Sequence, residues 1–71
     1  MADHVYSVSE IVGSSPGTID DAIRNALQRA AKTLRHLDWF EVTQIRGQLN
    51  EEDGSIAYYQ VMLKVGFRLE G

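Results

Sequence analysis

The sequence predicts an α+β domain of element order β-α-β-β, one helix packed on a three-stranded antiparallel sheet. Three observations predict it. From His4 to Val12 the segment HVYSVSEIV mixes β-branched and aromatic residues with polar ones at near period two, as a strand does. Apolar residues then recur at helical spacing between Ile19 and Leu37. From Ala57 to Leu69 seven consecutive odd positions are apolar, the sharpest alternation in the chain.

The first strand is expected over His4–Val12, ended by the turn formers Gly13-Ser14-Ser15-Pro16-Gly17. Thr18 with Asp21 three residues on fits a capping box, so the helix starts near Thr18. Ile19, Ala22, Ile23, Ala26, Leu27, Ala30, Leu34 and Leu37 then line one face, with Asp38 closing the helix. Asp20 and Asp21 in its first turn and Lys32, Arg35 and His36 in its last two match the signs of the helix macrodipole. A second strand follows over Trp39–Leu49 (WFEVTQIRGQL), and the turn Asn50–Gly54 leads to the third.

With the odd residues of the last strand under the helix, Tyr58, Gln60, Met62, Lys64 and Arg68 fall on the opposite face. Phe40 and Val42 join the helix-facing core, which places Trp39, Glu41 and Thr43 on the face shared with Gln60. Apolar parity changes at Ile45, the pattern either of a bulge or of a strand buried on both faces. Trp39, Met62 and Tyr58 therefore share a face for which the chain offers no cover, so partner subunits or a ligand must supply it.

Seventy-one residues, all assigned to one domain, form a small core, and cores below about 70 to 80 residues rarely contribute more than ~3 to 5 kcal/mol. No cysteine is present, which removes disulfides and thiolate zinc sites as supplements and makes self-association the leading remedy. A net charge of -3 without a basic stripe argues against nucleic-acid binding. No apolar run is long enough to span a bilayer, and the first fifteen residues lack a signal-peptide pattern, so a soluble cytoplasmic protein is expected.

Few residues suggest chemistry. His36 beside Asp38 resembles a base with its orienting carboxylate, but no Ser or Cys nucleophile stands nearby and a histidine at a helix end has an electrostatic explanation. Glu51, Glu52 and Asp53 lack the ligand spacing of a calcium loop and read as a solvated turn, so no metal site is assigned. Trp39 alone reads as a core residue sealing a junction. Combined with Gln60 on the same face it means more, because an aromatic plane and a side-chain amide together suit the faces and the imide edge of a planar heterocycle.

The segments EIVGSSPGTIDDAI, LRHLDWFEVTQIRG and YYQVMLKVGFRLE, which together cover nearly the whole chain, resemble the bacterial dodecins. These are small flavin-binding proteins that assemble as hollow homododecamers of β-α-β-β subunits. The resemblance implies flavins bound as stacked pairs at two-fold axes, sandwiched between tryptophans of neighbouring chains. Trp39 takes the stacking position, Gln60 the position whose amide bonds the isoalloxazine edge, and Arg46 a basic position at the ligand's phosphate end, where a guanidinium suits charge-assisted bonds. Arg68 in GFRLE matches a position that could contact coenzyme A, which some bacterial members bind. The flavin expected first is FMN, with riboflavin and FAD as alternatives. A flavin covered on both faces implies storage and quenching of its photochemistry rather than catalysis, so no enzyme activity and no catalytic residues are expected. A structural shell and a coenzyme A binder without a flavin role are the competing readings, and a flavoenzyme ranks last.

Overall fold

The computed structural model of the chain describes residues 3–69. Its elements are β1 (Val5–Ser15), α1 (Ile19–Ala30), β2 (Leu37–Leu49) and β3 (Ile56–Leu69). The strands form one sheet in the order β1-β3-β2, with both pairings antiparallel. The β-α-β-β architecture expected from the sequence is therefore the one observed. β3 lies in the centre, hydrogen-bonded on both edges, with Val61, Leu63 and Val65 completely buried beneath the helix.

The helix starts as expected and ends early. The Thr18 hydroxyl oxygen accepts a bond from the Asp21 backbone N–H at 3.0 Å, satisfying one of the free donors of the first turn. Its last residue is Ala30 rather than Leu37. The backbone N–H groups of Thr33 and Leu34 both donate to the Ala30 carbonyl, which winds the chain off the helix end, and His36 then adopts a left-handed φ of 61°. Leu34 and Leu37 still pack against the core, one from the connection and one from β2, so helical spacing continued past the helix itself. Lys32, Arg35 and His36 consequently lie beyond the helix, and the basic residue of its last turn is Arg29.

β1 also runs further than its composition suggested, through Gly13 to Ser15. Gly13 and Ser15 are buried, and a Cβ at Gly13 would overlap the Ala22 carbonyl oxygen and lie 2.7 Å from the Ala26 Cβ. The glycine is there because an alanine-faced helix comes close to the strand. Ala22 and Ala26 join Val61, Leu63 and Val65 as the core, flanked by Ile11, Ile23, Leu27 and Val42. The Asn25 amide donates to the Ser14 carbonyl at 3.0 Å, tying helix to strand.

The parity change at Ile45 is a bulge. Val42 pairs with Leu63 and Gln44 with Met62, leaving Thr43 as the extra residue, its hydroxyl donating to the Met62 carbonyl at 3.1 Å. Ile45 thus returns to the helix side opposite Val61, and Gln44 rather than Thr43 takes the place on the far face. A second irregularity skips Asp38 between Leu37, paired with Phe67, and Trp39, paired with Gly66.

Twelve helical residues span about 18 Å and the fourteen of β3 about 46 Å, so the helix covers only the middle of the sheet. The helix also packs chiefly on β1 and β3, so Phe40 and Ile45 of β2, opposite the buried Val65 and Val61, are about half exposed, as are Leu49 and Ile56 near the sheet's end. The radius of gyration is 15.0 Å, against roughly 11 Å for a compact chain of this length. Replacing Gly13 by Ala is expected to destabilise the fold by about 1 to 3 kcal/mol through overpacking, measured as a lower urea midpoint. An unchanged midpoint would mean that the helix can ride outward at no cost.

Candidate functional site

Directly opposed residues of an antiparallel pair share a face, so the register lays out the side of the sheet away from the helix. At one end Trp39 lies beside Gly66, and Tyr6 pairs with Arg68. At the other Gln60 stands between Ser14 and Arg46. Between the ends Lys64 is flanked by Glu10 and Glu41, which makes the middle of the face polar.

The geometry of Trp39 depends on a missing side chain. A Cβ at Gly66 would fall among Cε2, Cζ2 and Cδ2 of the indole, so the six-membered ring covers bare backbone. Gly66 is buried there, while Trp39 remains 42 % exposed. The indole thus has one side against the sheet and the other open. Tyr6 reaches over from β1, its ring 6.4 Å from that of Trp39 at 53°, within the range of tilted aromatic pairs. The Tyr6 hydroxyl donates at 2.9 Å to the carboxylate of Asp38, the bulge residue before Trp39.

That hydrogen bond to Asp38 is the main cause holding the Tyr6 phenol above its ordinary pKa of 10.0, with Asp38's negative charge adding to it and Arg68 opposing it. A raised phenol pKa means that the folded state favours the proton. The stabilisation is fully present below the unfolded value and is lost as pH rises through the folded one.

At the other end Gln60 is half-buried and its cross-strand neighbour Arg46 is exposed, with the Arg46 guanidinium donating to the Gln44 amide oxygen at 3.3 Å. Gln60 and Gly66 stand six positions apart on β3, which is about 20 Å along the strand. One chain therefore brings Arg46 to Gln60 and Arg68 to the neighbourhood of Trp39. It does not bring Trp39 to Gln60, although both lie on the open face as expected.

Sequence reasoning missed two contributors. Gly66 carried a signal, since a glycine inside a strand often marks a close approach. Tyr6 carried none, because its role appears only once the strand order puts β1 beside Arg68. Glu51 to Asp53 form the expected turn. Asp53 accepts from the Ser55 hydroxyl at 2.7 Å and its N–H at 3.0 Å, which holds its carboxyl below the ordinary range. Among the described residues no three His, Cys, Asp or Glu side chains gather as a metal site, and no helix is long and apolar enough to cross a membrane.

Comparison with known proteins places this architecture. A sequence model of the family Dodecin matches residues 5–70. The chain belongs to the dodecin family. The dodecin of Thermus thermophilus is 56 % identical over 66 residues, 93 % of each chain. The solved dodecin of Streptomyces davaonensis superposes with a TM-score of 0.90 at 57 % identity, covering 99 % of this chain and 100 % of that one. That of Streptomyces coelicolor gives 0.89 at 60 % identity, covering 100 % and 99 %.

In this dodecin, replacing Gly66 by Ala is expected to displace the indole. Trp39 is the sole tryptophan, so its near-ultraviolet circular dichroism and emission report on that site alone. Both should change in the folded variant. Spectra identical to the parent's would mean that the ring does not rest on Gly66.

Proposed function

We propose that this dodecin is a flavin-binding storage protein that holds flavin pairs between its subunits. The observation that carries the reading is the indole of Trp39, seated over Gly66 with its other side open on a sheet face that this chain does not cover. Such a platform fits a planar ring, and aromatic stacking of a base is worth about 1 to 3 kcal/mol in comparable open sites. The amide of Gln60 offers donor and acceptor to an imide edge.

Because these two side chains stand about 20 Å apart in one chain, the ring that touches both is held by Trp39 of one subunit and Gln60 of another. The site is then a property of the assembly. Self-association also fits the half-exposed apolar residues of β2 and the extended shape, and the family resemblance implies a hollow homododecamer. Arg46, beside Gln60, has a guanidinium that suits the phosphate of FMN, the first candidate among the flavins, ahead of riboflavin and FAD. Arg68, near Trp39, is the residue for a coenzyme A contact.

A flavin covered by an indole on one side and a second flavin on the other has no face for a substrate, so the role is sequestration in the cytoplasm and not catalysis. When bound, the flavin supplies an excited state that close contact with an indole donor can quench. The chain's own part is to stack, to hydrogen-bond the ring edge and to exclude other reactants.

The test is a fluorescence titration of FMN with the purified apo-protein. Saturating, near-complete quenching is expected. Trp39→Ala should weaken affinity roughly 5- to 150-fold with the assembly intact by size-exclusion chromatography. Gln60→Ala should weaken it less, by the factor of about 2 to 12 that one hydrogen bond represents. FMN that stays unquenched at protein concentrations well above micromolar would overturn the reading in favour of a shell or a coenzyme A binder.

A further inference from the structure

Trp39 reaches the open face through an irregularity in β2, and Tyr6 bonds to the residue that makes it. Leu37 pairs with Phe67 on the helix side, and strict alternation would then put Asp38 on the open face and Trp39 beneath the helix. The skipped Asp38 reverses this, so the indole lands over Gly66. An extra residue in a strand has no ladder partner to fix it. Here the Asp38 carboxylate is fixed from outside β2, by a 2.9 Å bond from the Tyr6 hydroxyl of β1 that spans β3. The same tyrosine sets its ring 6.4 Å from the indole.

We infer that Tyr6 and Asp38 are positioning residues that together hold the Trp39 indole in its stacking orientation. The phenol fixes the bulge through the carboxylate, and its ring limits the indole's sideways movement. Gly66 beneath the indole supports its inner side, so the outer side is presented to a ligand already oriented, which lowers the ordering cost of binding. Both residues act through Trp39 and need no contact with the ligand. The charged groups facing the phenol are Asp38 from β2 and Arg68 from β3, and Val8, its neighbour on the same face of β1, is neutral.

This inference rests on the flavin reading for its effect on affinity, while its effect on the indole can be read without any flavin. The experiment uses Tyr6→Phe, which keeps the ring and removes the donor, Asp38→Ala, and the double variant. For each assembled apo-protein the near-ultraviolet circular dichroism of the single tryptophan is recorded, followed by the dissociation constant for FMN. Each single substitution is expected to diminish the tryptophan signal and to weaken FMN binding about tenfold, the worth of one charge-assisted hydrogen bond. The double variant should lose no more than either single one, because the pair acts as a unit.

Unchanged tryptophan spectra in both single variants would overturn the inference, as would fully additive losses in the double. Affinity lost only in step with disassembly would also overturn it, since that is what a merely structural bond produces. If the parent protein bound no FMN, the flavin reading would fall, and the apo spectra would still decide whether Tyr6 and Asp38 hold the indole.

Discussion

A helix of about 18 Å lying on a strand of about 46 Å leaves most of the sheet without a second layer, and the rest of the structure follows from that mismatch. One side of the sheet is covered only around Val61, Leu63 and Val65, and the other side is not covered by this chain at all. The core is therefore dense where it exists, with Ala22 and Ala26 against Gly13, and small overall. A sheet with open apolar residues on both sides suits association with further copies better than life as a monomer.

The same open face explains why the candidate site is divided. Glu10, Lys64 and Glu41 occupy the middle, between an aromatic end at Trp39 and an amide end at Gln60. A ring system of flavin size cannot touch both ends of one chain across about 20 Å. On the proposed flavin reading each subunit offers two half-sites, and a ligand that needs both makes binding and association interdependent. Binding of this kind adds to the stability of the assembly by linkage, without any contact inside the subunit changing.

Much of the fold was legible because its signals were local. Alternation in β3, helical spacing from Ile19 and the Thr18 cap each depend on neighbours in sequence, and each was observed. The failures share a cause. Leu34 and Leu37 extended the helical pattern because residues outside a helix can reach the same core, and Gly13 to Ser15 imitated a turn because a close-packed strand also selects small residues. The faces of Trp39 and Gln60 were read correctly from parity, but their separation was not, since parity assigns a side of the sheet and no distance along it. Tyr6 was invisible for the same reason, as its partner Asp38 is 32 positions away and two strands over.

The irregularities of β2 show how the site was made on an otherwise regular sheet. Without the extra residue at Thr43, Arg46 would point toward the helix side instead of standing beside Gln60. Without the one at Asp38, Trp39 would do the same. Between the two, Phe40 and Val42 lie on the helix side opposite Val65 and Leu63, so the Asp38 bulge turns Trp39 outward and these two inward, and the Thr43 bulge then turns Arg46 outward. Each bulge residue has its side-chain oxygen engaged, Thr43 with the Met62 carbonyl and Asp38 with the Tyr6 hydroxyl. A strand with neither bulge would give a more regular ladder and a better hydrogen-bonded sheet, but Trp39 and Arg46, seven positions apart, would then fall on opposite faces. The retention of two anchored defects in a chain with so little core to spare is explained by what they put on the open face.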